Sequence, residues 1–167
     1  TPAAFENALR MLLAIGGSTN AIVHLAAMAG RLGIALDLDA FDRMGKKTPV
    51  LVDLKPTGQH YMEDLYKAGG AAAILRELKP LLNLEALTVT GRSLGENIAG
   101  TPPSWSGQQV VRPSKTPIFK AGGIAYLRGN LAPGGAIIKQ SAMDPKLMKH
   151  EGRAVVFESL EDLANRV

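Results

Sequence analysis

Cysteine is absent from this chain of 167 residues. That excludes disulfides and any thiolate ligand from this segment to a metal or an iron–sulfur cluster. It is also compatible with a cytoplasmic setting, which is the expectation here. Aromatic residues make up only 5% of the chain, and Lys46-Lys47 is its one pair of adjacent basic residues. The net charge of +4 is therefore scattered, without the basic stripe and aromatic platforms of a nucleic-acid surface. No apolar run is long enough to cross a bilayer, and no charged-then-apolar start resembles a signal peptide. Neither nucleic acid nor membrane is an expected partner. No pair among His24, His60 and His150 has the i, i+4 spacing of a helical metal site. A phosphate-loop lysine, a Gly-x-Gly-x-x-Gly turn and a nucleophile elbow are missing too.

What is present begins with Gly16-Gly17-Ser18-Thr19-Asn20, leading into Ala21-Ile22-Val23-His24-Leu25-Ala26-Ala27-Met28-Ala29. Two glycines permit a sharp turn, Ser18 is a favoured helix cap, and the helix that follows is almost wholly apolar. Such a helix reads as buried. A buried helix start offers orphan N–H groups and partial positive charge to a carboxylate or phosphate. The length suffices for one sizeable core or two small ones. The Thr-Pro start and the helical reading of Asn165-Arg166-Val167 lead to the expectation of an internal piece of a longer protein.

Along the chain, Thr1 and Pro2 open a helix carrying Phe5, Ala8, Leu9, Leu12 and Leu13 at helical spacing. Asp37 or Asp39 caps a short helix with Phe41 and Met44. Residues 50–54 read as a buried strand, and Lys55-Pro56-Thr57-Gly58 as a turn. Thr57 is then placed as cap of a helix through Leu65, and Gly69-Gly70 divides that helix from Ala71–Leu78. Leu87-Thr88-Val89-Thr90 reads as a further strand, and Ser93 with Glu96 as a capping box. Alternating helix and strand predict a layered α/β segment over residues 1–109. That segment ends in a Pro/Gly/Ser linker over residues 100–107. Residues 110–167 read as the first part of a β-rich domain, with strands at 110–112, 124–128, 136–139 and 154–157. Gly122-Gly123, Gly129-Asn130 and Pro133-Gly134-Gly135 are read as its turns.

No residue of the segment is an expected catalytic acid, base or metal ligand. Adjacent Glu63-Asp64 and Glu161-Asp162 point in different directions on a helix and suit first turns rather than a converging carboxylate pair. His24 reads as a hydrogen-bonded core histidine sharing a face with Asn20, and His60 as a solvated helix start. On residue chemistry alone, the alternative to an enzyme segment is a non-catalytic α/β domain binding an anionic metabolite or a protein partner.

Several phrases, in order, carry a resemblance. They are Gly16–Ala21, Asp39–Arg43, Lys55–Gly58 with Met62–Leu65 and Ala68–Gly70, Leu87–Gly91 and Leu127–Ala136. Together they resemble the dihydroxy-acid and sugar-acid (phosphogluconate-type) dehydratase family. The resemblance implies a lyase that removes water from a 2,3-dihydroxy acid to give a 2-keto acid, with an iron–sulfur cluster and magnesium as Lewis acids. It implies an α/β domain beside a β-rich swivelling domain, with the active site between them in a homo-oligomer. The cluster cysteines, metal-binding acids and serine base of that family lie outside this stretch. The segment alone is thus expected to bind no cofactor and to be inactive. The helix start and the resemblance together make Ser18, Thr19 and Asn20 the expected substrate-proximal residues, with Lys55, Thr57 and His60 as a second group. The substrate is expected to be a small hydroxy acid from branched-chain amino acid biosynthesis or sugar-acid metabolism; the stretch 147–157 is similar to the sugar-acid branch.

Overall fold

The computed structural model describes residues 1–102 and 107–167. Within the expected linker, residues 103–106 lie outside the described residues. Thr1 caps α1 (Pro2–Ala14), its Oγ1 accepting from the Ala4 amide at 3.4 Å. The apolar residues of α1 split between two cores. Ala14 joins Leu51, Val52, Leu65, Ala68, Ala73, Ile74, Leu78, Val110 and Val111. Leu9, Leu12 and Leu13 join Ile22, Phe41 and Ile124. One helix therefore contributes to both cores.

Residues 50–54 are extended and largely buried, as their sequence predicts, but they make single bridges rather than a strand ladder. Val50 pairs with Phe119 and Val52 with Val111, both antiparallel, and Leu54 pairs with His60 in parallel. Leu51 is fully buried. Its N–H donates to Ala14 O at 2.8 Å and its C=O accepts from the Arg112 amide at 2.7 Å. The segment is thus sewn between the end of α1 and the 110–119 stretch, whose Val110 and Val111 pack into the first core.

The remaining helices are short: α2 (Asn20–Arg31), α3 (Leu38–Gly45), α4 (Met62–Lys67), α5 (Gly70–Leu78), α6 (Leu94–Ala99) and α7 (Leu160–Arg166). Asp37 caps α3, accepting from the Asp39 amide at 2.8 Å. Ser93 and Glu96 form the reciprocal box on α6, with contacts of 3.2 and 2.7 Å. Tyr61, not Thr57, occupies the cap position of α4, and its amide is satisfied by Asp64. Glu63 pairs with Lys67 and Asp162 with Arg166, the first-turn roles expected of those carboxylates.

Among the described residues the one regular sheet is the antiparallel hairpin of β1 (Ile124–Gly129) and β2 (Ala132–Lys139). The class is mixed α/β, with helices dominant. Several strand and turn readings give way. Leu87 makes only a single antiparallel bridge, with Ser93, and the chain turns at Thr88–Gly91. The Gly91 amide donates to Thr88 O at 3.1 Å and the Thr88 amide to Arg92 O at 2.9 Å, with the two threonine hydroxyls and the Asn97 side chain bonded across the turn. Residues 154–157 are largely exposed and pair with no strand among the described residues, the Val156 carbonyl accepting instead from the Arg166 side chain at 3.1 Å; an apolar run needs an adjacent edge before it makes a strand.

Pro133, Gly134 and Gly135 lie inside β2, and the hairpin turns at Asn130-Leu131. Gly135 has φ +94°, and a Cβ there would overlap the Tyr126 ring that covers it. Nor is Gly122-Gly123 a hairpin turn. The Gly122 amide donates to Gly45 O at 2.8 Å, and a Cβ on Gly122 would lie 2.7 Å from Leu13 Cδ2. This close approach seats the root of the hairpin on α1 and α3.

Two substitutions test this packing. Gly122→Ala should destabilise by about 1–3 kcal/mol through overpacking, and Leu13→Ala by about 2–5 kcal/mol through the cavity it leaves, both read from urea unfolding. The pH response has a definite sign. The Ala40 and Asp39 amides, with Arg43, hold the Asp37 carboxyl below the usual carboxylate range. The Ser93 amide and hydroxyl do the same for Glu96. Their stabilising contribution is therefore complete above that range and fades as pH falls through the lowered values. Asp37→Asn with Glu96→Gln should flatten the acid side of a plot of urea midpoint against pH; an unchanged slope would contradict it.

Candidate functional site

Gly16 turns the chain at the end of α1 with φ +57°, and the Ser18-Thr19 step starts α2. Thr19, not Ser18, occupies the cap position of α2 and its side chain makes no capping bond; the Ser18 hydroxyl, one residue earlier, accepts from the Asn20 amide at 3.2 Å. The Ala21 and Ile22 amides donate to Ser18 O and Thr19 O, each at 3.1 Å. Three of the first N–H groups are thus already satisfied. Any attraction for an anion here comes from hydroxyls and side-chain cations more than from free amides.

The expected burial of α2 is not observed. Only Ile22 and Ala29 are buried, and Val23 is 67% exposed. His24 is exposed as well, not a core histidine. An apolar sequence sets what a helix can bury, and the covering surface is not supplied by the described residues.

The turn instead borders an open cleft of about 430 Å³, lined by Ile15, Gly16, Gly17, Ser18, Thr19, Leu54, Lys55, Pro56, Thr57 and Lys139. The two groups of expected site residues are therefore largely one site. Ser18 and Thr19 come from the first group, and Lys55 and Thr57 from the second. Asn20 is exposed at the first position of α2, just past the lining residues. His60 is elsewhere. Its Nε2 stands 3.8 Å from Asp53 Oδ2, and it lines a separate depression with Asp64, Lys67 and Gln108. The cleft's chemistry is that of an anion host: two lysines and three hydroxyl side chains, with no carboxylate among the lining residues.

Lys55 is held in place by Tyr61. Its Nζ donates to the Tyr61 hydroxyl and sits 4.0 Å from the ring centroid, an arrangement that favours a cation over an aromatic face. Lys139 is a residue that sequence reasoning misses. It closes an apolar run, Ala136-Ile137-Ile138, and nothing local separates it from any other strand-end lysine; only the fold of the hairpin onto α1 brings it to the cleft. Among the described residues, no three His, Asp or Glu side chains gather as a metal site, and the sequence has no cysteine. The residues of this chain therefore do not by themselves fit an iron–sulfur cluster or a carboxylate-ligated magnesium ion.

Comparison with known proteins finds matches along nearly the whole chain. Residues 1–97 match the family profile described as dihydroxy-acid/6-phosphogluconate dehydratase N-terminal, and residues 109–167 match its C-terminal counterpart. An L-arabonate dehydratase of Azospirillum brasilense is 52% identical over 96% of this chain and 28% of its own length. A dihydroxy-acid dehydratase of Caldicellulosiruptor bescii is 50% identical over 98% of this chain and 30% of its own length. An L-arabinonate dehydratase of Rhizobium leguminosarum is 46% identical over 100% of this chain and 29% of its own length. The chain thus spans less than a third of the length of these curated relatives. With both profiles matched in order, on either side of the Pro/Gly stretch, this chain belongs to the dihydroxy-acid/6-phosphogluconate dehydratase family.

Proposed function

We propose that this chain forms one wall of the substrate cleft of a hydro-lyase acting on a 2,3-dihydroxy acid, within a longer protein. In that reaction a proton leaves C2 and the hydroxyl leaves C3 as water. The resulting enol becomes the 2-keto acid. The observation that carries the reading is the convergence of Ser18, Thr19, Lys55 and Thr57 on one cleft, in a chain whose relatives are named for hydroxy acids. Lysine charge suits the substrate carboxylate, and the hydroxyls suit its alcohol groups. Asn20, at the rim, is the third substrate-proximal residue.

The chain's part is to bind and orient. No group in the cleft is placed as the base that takes the C2 proton, and that role belongs to residues outside this chain. The iron–sulfur cluster and magnesium of the family belong there as well; when bound they supply the Lewis acidity for carboxylate and leaving hydroxyl. The substrate is proposed to be an aldonic acid or a branched-chain dihydroxy acid, in keeping with the arabonate and dihydroxy-acid names of the relatives. We also propose that the intact enzyme is a cytoplasmic homo-oligomer. Among the described residues no helix is long and apolar enough to cross a membrane.

The test uses the full-length protein, loaded with iron–sulfur cluster and magnesium, on dihydroxyisovalerate and a panel of aldonic acids. Turnover of at least one is expected. Thr19→Val should raise KM about tenfold, the scale of one hydrogen bond to a charged or polar substrate group, and Asn20→Ala should do so by less. If both variants keep the wild-type KM and kcat, the turn is only a structural cap. The isolated 167-residue chain should show no turnover under the same conditions.

A further inference from the structure

Lysines are the residues most often left fully in water, and every other lysine of this chain is exposed; Lys139 alone is half-buried. Its position is fixed from both sides. In the hairpin its backbone pairs with Ile124, a residue 2% exposed within the second core. Immediately after it the chain enters a tight turn at Gln140–Ala142, where the Ser141 amide donates to Gly123 O at 3.1 Å. The Ser141 hydroxyl is buried against the Gly16 turn, 3.4 Å from where a Cβ of that glycine would stand, and it has no hydrogen-bond partner among the described residues. The end of β2 is thereby pressed onto the same glycine turn that begins α2. Lys139 consequently lines the cleft beside Ser18 and Thr19, although about 120 residues separate them in sequence.

Ordering a lysine side chain and removing part of its hydration is unfavourable unless an anion compensates. Among the described residues no carboxylate lies within ion-pair distance of Lys139 or of Lys55. We propose that Lys139 is a substrate-binding residue. With Lys55, which lines the same cleft, it forms a two-lysine receptor for the carboxylate of the hydroxy acid, and so favours acids over neutral polyols or amides. This rests on the reading of the cleft given above. It goes beyond that reading by giving the hairpin a share in the charge recognition, so that substrate affinity depends on the hairpin being seated on the Gly16 turn.

The experiment is done on the full-length, cofactor-loaded enzyme, with Lys139→Met, Lys139→Gln, Lys139→Arg and Thr19→Val compared by steady-state kinetics. Inhibition is measured with an unreactive 2-hydroxy acid that lacks the 3-hydroxyl, and with its primary amide. The wild type should prefer the acid to the amide by about tenfold or more, the scale of a charge-assisted contact. Lys139→Met and Lys139→Gln should weaken that preference several-fold, Lys55 being left in place, and raise KM by more than they lower kcat. Lys139→Arg should restore the preference in part.

A Lys139→Met enzyme that prefers the acid as strongly as the wild type overturns the inference, as does a loss of kcat with KM and the preference intact. Should Thr19→Val leave KM unchanged while Lys139→Met weakens the preference, the role given to the turn fails and that of Lys139 stands. The reverse pattern removes Lys139 alone. If the Met and Gln variants lose their near-UV circular dichroism while the Arg variant keeps it without the preference for the acid, the lysine is structural and the inference is wrong. Loss of that signal in all three variants overturns it in the same way.

Discussion

The backbone of Leu51 is the constraint from which the arrangement follows. Its N–H and C=O are buried with the residue, and a buried peptide group left unpaired is costly. They are paired on opposite sides, to Ala14 at the end of α1 and to Arg112 in a distant stretch of chain. Those two bonds fix where α1 stops and where the 110–119 segment returns. The glycine turn after α1, the Lys55–Gly58 turn after the extended segment and the entry to the hairpin are then forced into one neighbourhood. The cleft is the space left between them.

The way the two cores share α1 reinforces this. Ala14 faces one cluster while Leu9, Leu12 and Leu13 face the other, so neither core can shift without disturbing the helix. Close packing of this kind is intolerant of added atoms. One such tight point is where Gly122 meets Leu13 and the Gly45 carbonyl. Small residues there are a condition for bringing the hairpin, and with it Lys139, against the helices.

Local chemistry is readable from the sequence wherever a few neighbouring residues decide the outcome. The Thr1-Pro2 start, the Asp37 cap, the Ser93–Glu96 box and the Gly69-Gly70 break all depend on contacts within one turn of chain. The misreadings share a different cause. Thr88 and Thr90 look like strand residues by shape, yet the chain turns there and their hydroxyls find partners across the turn. Val155 and Val156 have the shape of strand residues, but a strand is a property of two segments. The apolar α2 reads as buried, and the described residues do not cover it. At the site, Ser18 and Thr19 are legible from the helix-start pattern, and Lys55 and Thr57 from their turn. Their union in one cleft, and the arrival of Lys139, are consequences of long-range packing that no window of sequence contains.

At the far end of the hairpin, Arg128 extends over the Tyr126 ring, 5.2 Å from its centroid, and reaches Asp39 in the first turn of α3 at 2.8 Å. Tyr126 in turn lies over Gly135 on the opposite strand. These side chains form a strut from the outer hairpin to the helix layer, while Gly122 anchors the root. Fastened at two points, the ribbon resists rocking like a hinged flap and behaves as a braced beam. The strut is solvent-facing and ionic at its helix end, so raised salt should loosen the outer tether before the root.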